Sequence, residues 1–374
     1  MSSHPITRNW HRRPTRAALA AVVCLLTLLI GDVAAPARGA AAAGPQGTIV
    51  FQAGAGRITG LAADGKRVAL LVLKGCRRVV VWEAASSGRA ARVTSVCSVD
   101  LPIDTTDIAL AGTRVAWLET VGQNVIYTTV KTATLAHRKP VGIAEGYATP
   151  DRNPVGTVAG NLAGDGVLLA FTLDQRCDAF GNGNGVACPP GRADGAIVAA
   201  TVWRIGGSGR CPGSLGSGRP VGCTVVAKAD GELSVLAVDT GRVAVRTKSG
   251  VRLLTESGRV LRDFTVKASA AALSGKRLAV RRADAVEVYE TGSGQVTGRF
   301  PVAKGVRLED LEGDILVTAS GAAVTLRSLA NGRTITIRTR GTARAQLESP
   351  GLFVAGAHRV TFTPMRAVLR RLGG

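Results

Sequence analysis

The residues best suited to chemistry in this chain include a run of four carboxylates: Glu309, Asp310, Glu312 and Asp314. Residues two apart on a strand share a face, so Asp310 and Glu312 are placed to point together, as an acid and base pair requires. The run also occupies a polar turn between two apolar stretches, where charged side chains are common. The sequence therefore favours a charged turn and keeps carboxylate catalysis as the alternative.

A second candidate group lies in segment 174–195, which interrupts an otherwise regular pattern. It offers five oxygen-bearing side chains of the kind that Ca²⁺ prefers: Asp174, Asp178, Asn182, Asn184 and Asp194. The spacing of an EF-hand and its closing glutamate are missing, and Asn-Gly and Asp-Gly pairs are also ordinary turn sequences. The sequence favours a disulfide-held loop without metal or other cofactor, and bound Ca²⁺ is the alternative.

Three other kinds of site find little support. Gly60–Arg67 nearly matches the phosphate loop G-x-x-x-x-G-K-[ST], but Arg67 replaces the Mg²⁺-binding hydroxyl and an apolar strand follows instead of a helix. The histidines after residue 42 are His137 and His358, too far apart in sequence to form a local zinc motif. No G-x-S-x-G pentad is present to supply a serine nucleophile. The residues therefore predict no catalytic site.

The elements that carry these residues repeat along the chain. A phrase of small and apolar residues, a polar turn and an aliphatic run occurs about seven times, for example at Leu61–Ala69, Leu162–Ala170 and Leu236–Ala244. Each copy predicts a hairpin, because Gly and Asp supply the positive φ that tight turns need. One or two further strands follow each copy. We predict an all-β fold, a single β-propeller of seven four-stranded blades over residues 43–363, with six or eight blades as alternatives.

The spacing of the copies adds detail to this fold. Anchor residues of the later copies lie 35, 38 and 38 residues apart: Ala244, Ala279, Val317 and Ala355. Such spacings suit compact blades of about 40 residues. Earlier copies are farther apart and contain insertions at 174–195 and 206–222. We expect Thr48–Phe51, which precedes the first copy, to pair with the last blade and close the ring.

The repeated phrase also points to a known family. Leu-Ala-Ala-Asp-Gly-Lys-Arg-Val-Ala at Leu61–Ala69 resembles the turn of WD40-like propellers of the TolB type, and the resemblance extends over most of the chain after residue 42. The chain lacks the family's Ser-Pro before Asp-Gly and its closing Trp-Asp pair. It also lacks the Thr-Gly-Lys-x-x-Trp element of quinoprotein-type propellers. The resemblance implies the fold and an interaction role, and it assigns no catalytic residue.

The N-terminal residues are typical of a secretory signal. Four arginines precede the apolar run Ala17–Ile30, and small residues follow, with cleavage options near Ala35 and Ala42. The run is shorter than the about 20 apolar residues that span a membrane, so we expect cleavage rather than anchoring. Residues 1–42 are predicted to be a signal peptide. The mature protein is then secreted or held in the cell envelope, as a monomer without a transmembrane span.

The cysteine content agrees with export. Six cysteines follow residue 42, and an even number in an exported chain predicts disulfides. One pair lies on adjacent antiparallel strands of the first unit, and the other two pairs each bracket an inserted turn. The predicted bonds are Cys76–Cys97, Cys177–Cys188 and Cys211–Cys223.

Charge and aromatic content narrow the partners. The chain carries 47 basic and 26 acidic residues, a net charge of +21, so anionic envelope polymers are natural partners. Aromatic residues make up only 4%, whereas binders of single-stranded nucleic acid interleave aromatic with basic residues, so nucleic acid is not favoured. Segment 364–374 adds three arginines: Arg366, Arg370 and Arg371. We interpret it as a frayed basic tail, with a contact to an anionic surface as the alternative.

Together these patterns favour an exported, disulfide-stabilised propeller that acts as a non-catalytic binding module for a protein or an anionic envelope component. One alternative is a lyase or hydrolase that uses carboxylates and Ca²⁺. Another is an electrostatic binder of anionic polymers, whose affinity would fall steeply with salt.

Overall fold

The computed structural model describes the following residues: 49–84, 90–96, 103–122, 126–148, 156–178, 186–187, 196–211 and 221–373. The predicted signal peptide and most of the two insertions lie outside these ranges. Within them, no helix is long and apolar enough to cross a membrane.

The strands form seven four-stranded antiparallel blades, which confirms the predicted β-propeller and its blade number. After an entering strand, β1 (Ile49–Gln52), the first two blades use consecutive strands. Blade 1 holds β2 (Arg57–Asp64), β3 (Arg67–Lys74), β4 (Cys76–Glu83) and β5 (Ala91–Val96). Blade 2 holds β6 (Ile103–Ala111), β7 (Arg114–Gly122), β8 (Ile126–Thr134) and β9 (Val141–Ala148).

Blade 3 carries the insertions. It holds β10 (Gly156–Asp165), β11 (Leu168–Asp178), β13 (Ala196–Arg204) and β14 (Cys223–Asp230), and the short β12 (Val186–Ala187) runs parallel to the end of β11. Blade 4 holds β15 (Leu233–Asp239), β16 (Arg242–Thr247), β17 (Gly250–Thr255) and β18 (Val260–Phe264). Blade 5 holds β19 (Ala270–Ser274), β20 (Arg277–Arg281), β21 (Ala285–Glu290) and β22 (Val296–Pro301).

The last two blades complete the ring. Blade 6 holds β23 (Arg307–Glu312), β24 (Ile315–Ser320), β25 (Ala323–Ser328) and β26 (Thr334–Arg338). Blade 7 holds β27 (Arg344–Glu348), β28 (Gly351–Ala355) and β29 (Arg359–Pro364), and β1 is its outermost strand. Ile49 lies opposite Phe362 in an antiparallel pair. The prediction that the first strand closes the ring is therefore confirmed, and closure removes a pair of free sheet edges.

The hydrophobic core consists of seven clusters, one between each pair of neighbouring blades. Strand β3 shows how one sequence serves two clusters. Val68, Leu70 and Val72 pack toward blade 7, whereas Ala69 and Leu71 pack toward blade 2. Successive side chains on a strand point to opposite faces, and here both faces are covered. This is why the strand is apolar throughout instead of alternating.

Three tryptophans on the strands are packing residues. Trp82 and Trp117 are fully buried, and Trp203 is nearly so. The ring of Trp82 stacks on that of Phe51 with centroids 5.9 Å apart, so it anchors the closing strand β1.

The described residues include part of the predicted disulfide pattern. The predicted bond between Cys211 and Cys223 is present and joins the two ends of the 206–222 insertion. Cys76, at the start of β4, is disulfide-bonded, and its predicted partner Cys97 lies outside the described residues. The side chains of Cys177 and Cys188 also lie outside them, so that bond stays a prediction.

The C-terminal segment differs from the expected frayed tail. Residues Met365–Leu372 form helix α1, which ends at Gly373 in the left-handed conformation. Met365, Val368 and Leu372 pack into the core cluster between blades 6 and 7. The apolar residues recur at helical spacing and cover the cleft beside β26, β28 and β29, which is why the segment is ordered.

The ring has two faces that present different connections. The link face carries the connections between blades and the turns between second and third strands. The turn face carries the turns between first and second strands and between third and fourth strands.

Candidate functional site

The first strand of every blade lines a central channel, which holds a cavity of about 360 Å³. Most of its wall is Leu, Ala or Gly. The polar lining comes from blades 2, 6 and 7: Asp107, Arg307, Glu309, Asp310, Arg344 and Gln346. The small residues allow seven strands to approach the axis, and the polar group forms one side of the channel.

Two aspartates in this wall play the same structural part. Each lies beside a bulge in its strand and accepts a hydrogen bond from the backbone N–H of the next residue. The other oxygen of Asp107 accepts from the N–H of Leu162 at 2.7 Å, and that of Asp310 accepts from the N–H of Leu347 at 2.7 Å. Each aspartate therefore fastens its strand to the first strand of the next blade.

Burial also changes the protonation of these aspartates. It raises the pKa of Asp310 to about 7, against the opposing effect of its two backbone N–H bonds. It raises the pKa of Asp107 too, with the N–H bonds and the charge of Arg344 acting in the opposite direction.

Two neighbouring side chains also fasten first strands of adjacent blades to each other. Gln346 accepts from the N–H of Ala63 at 2.6 Å, and Glu309 accepts from the N–H of Ala345 at 3.2 Å.

A second polar group surrounds the channel mouth on the turn face. It consists of the last residue of each first strand, at equivalent register in all seven blades, and we call it the turn ring: Asp64, Ala111, Asp165, Asp239, Ser274, Glu312 and Glu348. Five of its seven positions are carboxylates. A protein of high positive charge thus surrounds one channel mouth with acidic side chains.

Members of the turn ring bind the turn of a following blade. Glu348 accepts from the N–H of Gly65 at 3.1 Å, across the junction of blades 7 and 1. Blade 2 has Ala111 at its ring position, and alanine has no side-chain oxygen that could accept a bond from the turn of blade 3. One oxygen of Asp64 accepts from the N–H groups of both Gly112 and Gly166, and it reaches blade 3 directly.

The other half of the ring has the same kind of bond. Asp165 accepts from the N–H of Thr240 at 2.7 Å. Asp239 accepts from the N–H of Gly275 at 2.9 Å. The hydroxyl of Ser274 accepts from the N–H of Gly313 and donates to Glu312, both at 3.0 Å. The ring therefore links the turns around the mouth.

The turn ring holds its carboxylates in a mutually repelling cluster. Burial, followed by the charge of Asp310, raises the pKa of Glu348 to about 9. Burial and then the charges of Asp64 and Asp239 raise the pKa of Asp165, while its bond from Thr240 opposes this. Like charges disfavour a second ionised carboxylate, so part of the ring holds protons near neutral pH.

The carboxylate run predicted from the sequence is divided among different partners. Asp310 bonds to blade 7, whereas Glu312 bonds to Ser274 of blade 5. Asp314 forms an ion pair with Arg277. The bulge precedes Asp310, so Asp310 and Glu312 pair in regular register with β24 and share a face, as their spacing predicts. Their hydrogen bonds nevertheless go to different blades, and each carboxylate has a structural partner of its own.

The other predicted groups are also accounted for. Gly60–Arg67 contains the hairpin turn between β2 and β3. The segment that resembles a phosphate loop in sequence is therefore a turn within blade 1. His137 and His358 lie in different blades, and both are exposed.

The calcium candidates lie outside the described side chains: Asp174, Asp178, Asn182, Asn184 and Asp194. Among the described residues, no group of three or more His, Cys, Asp or Glu side chains is arranged to hold a metal ion.

The link face of blades 4 to 7 has the opposite charge to the turn ring. Lys248 lies in the turn of blade 4, and Lys267 and Lys304 lie in the next two links between blades; all three are exposed. Arg344 is exposed at the link-face mouth of the channel. Within the described part of the chain, these four cations have no ion pair. Sequence reasoning missed them, although the repeats place the three lysines in a turn or a link and Arg344 at the start of β27.

Comparison with known proteins gives a fold and no family. No family model matches the chain, and no curated protein matches it. A chain in the crystal structure of the mitotic checkpoint complex is similar, with 12% identity and a TM-score of 0.51 over 92% of this chain and 100% of that one.

Two further solved structures are similar at lower scores. Sqt1 of Saccharomyces cerevisiae has 9% identity and a TM-score of 0.44, over 84% of this chain and 97% of that one. The AfRom2 CNH domain has 12% identity and a TM-score of 0.47, over 84% and 98%. At these identities the similarity concerns the fold alone.

Proposed function

We propose that this protein is an exported, non-catalytic binding module that recognises an anionic protein or envelope component through its link face. A closed ring of blades supplies a rigid platform, and loops on a rigid platform commonly carry binding residues. The unpaired cations of the link face attract a negatively charged partner and steer its approach.

The hydrogen bonding of the channel carboxylates is the observation on which this proposal rests. In both Asp107 and Asp310, each carboxylate oxygen accepts a hydrogen bond from a backbone N–H group. For each aspartate, one of these N–H groups belongs to the next blade. A catalytic carboxylate must present a lone pair to a substrate proton. Both oxygens of these aspartates face backbone N–H groups instead, which favours a structural role, and we assign recognition to the exposed cations of the link face.

A paired charge reversal tests which face binds. The link-face variant carries Lys267→Glu and Lys304→Glu, and the matched variant carries Lys66→Glu and Lys276→Glu, which are exposed on the turn face. Each pair changes the net charge by the same amount. A partner captured from the envelope fraction by the native chain should be lost with the first variant and retained with the second. Equal loss with both variants would contradict recognition by the link face.

Export is a separate part of the proposal and has its own test. The motivating features are the basic N-terminus, the short apolar run and the even number of cysteines in the rest of the chain. N-terminal sequencing of the protein isolated from the producing cell should begin near residue 36 or 43. An intact N-terminus on protein recovered from the cytoplasm would refute export.

Binding of Ca²⁺ to segment 174–195 remains an alternative that would bring the enzyme hypothesis back. Thermal melting with Ca²⁺ and with chelator decides it. A rise in melting temperature that is lost in Asp178→Ala would support a metal site. An unchanged melting temperature would exclude it.

A further inference from the structure

A basic groove lies between blade 6, blade 7 and helix α1, away from the channel. It has a volume of about 680 Å³. Its floor is formed by the end of β26 and by β28 and β29. Its charged lining comes from three different elements: Arg338, Arg340, His358, Arg359 and Arg371. We call it the blade 6–7 groove.

Three arginines of this groove, Arg338, Arg340 and Arg359, carry positive charge that the described residues do not compensate. Residues 327–373 contain nine arginines and a single acidic residue, Glu348, which belongs to the turn ring. The side chains of Arg338, Arg340 and Arg359 are exposed, and the described residues provide them with no ion pair or hydrogen bond. Elsewhere on the surface many arginines are paired, as Arg252 is with Asp263 and Arg299 with Asp284. Three unpaired guanidinium groups around one recess favour an anion as its occupant.

The arrangement of the arginines distinguishes among anions. Arg338 comes from the end of β26, Arg340 from the link to blade 7, and Arg359 from the turn before β29, so the three guanidinium groups border the recess from different segments. One planar carboxylate is satisfied by one bidentate guanidinium, whereas a tetrahedral phosphate presents oxygens in several directions. The volume of the groove admits several consecutive phosphate groups.

The rest of the lining argues against other phosphate-bearing partners. It contains no Phe, Tyr or Trp, and the ring of its one histidine, His358, is hydrogen-bonded through Nδ1 to the carbonyl of Gly56. The arginines border a recess, whereas a lipid surface would contact protruding cations beside apolar residues. We propose that the blade 6–7 groove binds a soluble linear chain of phosphate groups. Arg338, Arg340 and Arg359 lie on the link face, so this inference rests on the proposed function of that face and names one anion for it. Its test uses residues other than Lys267 and Lys304, so the two proposals can fail separately.

Binding of inorganic polyphosphate to two matched variants of the full chain tests the proposal. The groove variant carries Arg338→Gln and Arg359→Gln. The control carries Arg92→Gln and Arg259→Gln, which remove the same charge from exposed, unpaired positions on blades 1 and 4. Each charge-assisted contact corresponds to about tenfold in affinity, so we expect about a 100-fold weaker Kd for the groove variant. The control should change by less than about threefold, since only screened long-range attraction is lost.

A footprint on the unaltered protein makes the test independent of variant folding. Polyphosphate should protect Arg338 and Arg359 from an arginine-specific reagent, as read by mass spectrometry, and should leave Arg92 and Arg259 reactive. Equal losses in the two variants, or uniform protection, would reduce the effect to general charge and overturn the proposal. Equal affinity for polyglutamate would replace it with an acidic-peptide site. Binding to phosphatidic acid vesicles but not to polyphosphate would replace it with a lipid contact.

Discussion

Glu348 should make the stability of the ring depend on pH in the opposite sense to most carboxylates. Burial and the neighbouring acids raise its pKa to about 9 in the folded protein, whereas a free glutamate titrates near about 4.3. Between these values the folded state holds a proton that the unfolded chain has released. The free energy of unfolding therefore falls as pH rises through this window, and it falls most clearly above the pKa of Asp310, about 7.

The substitution Glu348→Gln removes this dependence while it keeps an oxygen to accept the N–H of Gly65. One pH unit inside the window corresponds to at most about 1.4 kcal/mol. With a pKa of about 9, folded Glu348 still holds most of its proton between pH 7.5 and pH 8.5. Native protein should therefore lose about 1 kcal/mol more than the variant over this interval.

Urea denaturation at closely spaced pH values measures this difference. Glu232→Gln is the matched control, because Glu232 is an exposed carboxylate that pairs with Arg246 on blade 4. The control should keep the native slope. If Glu348→Gln also keeps it, then Glu348 ionises like a solvated carboxylate, and the proton-holding turn ring described above is refuted.

Three further changes test how the blades are joined. Asp64→Ala removes the acceptor of two turn N–H groups, in blades 2 and 3, and should lower the free energy of unfolding by about 2 kcal/mol in urea, with Asp64→Asn closer to native. Gly164→Ala places a Cβ 2.5 Å from the carbonyl oxygen of Leu110 in blade 2, so calorimetry should show a loss of about 1–3 kcal/mol; an unchanged melting temperature would mean that these blades are farther apart. Replacing Cys211 and Cys223 by serine opens a short loop, with 12 residues of sequence separation, and should cost about 3 kcal/mol in urea denaturation; reductant should cost the native protein at least as much, because Cys76 is also disulfide-bonded.

Local chemistry explains why the fold could be predicted. The polar turn at Asp64 and Gly65 and the aliphatic run of β3 identify a hairpin from adjacent residues alone. Repetition of this unit leaves few folds, since each sheet must bury both faces against similar neighbours. The helix at Met365–Leu372 was missed because eight residues give a weak periodic signal and packing against blades 6 and 7 stabilises it.

The candidate sites were less accessible to sequence reasoning. Asp310 and Glu312 are two residues apart and share a face of β23, but their hydrogen-bond partners, Leu347 and Ser274, belong to different blades that sequence spacing does not identify. Glu348 was not singled out, although it occupies the same position in its repeat as Asp64 does. The sequence contains this equivalence, but the bond from Gly65 to Glu348 spans 283 residues.

The amino-acid sequence by itself determined the all-β character, the hairpins and the strand that closes the ring, because turn residues and the two-residue alternation of strands act over short distances. Only the tertiary structure decided which charges meet. Ring closure brings register-equivalent turns together into an acidic mouth, and it brings Arg338, Arg359 and Arg371 to one groove from three separate elements. Electrostatic and hydrogen-bonding partners are set by distance in space, and in a closed ring that distance is unrelated to separation along the chain.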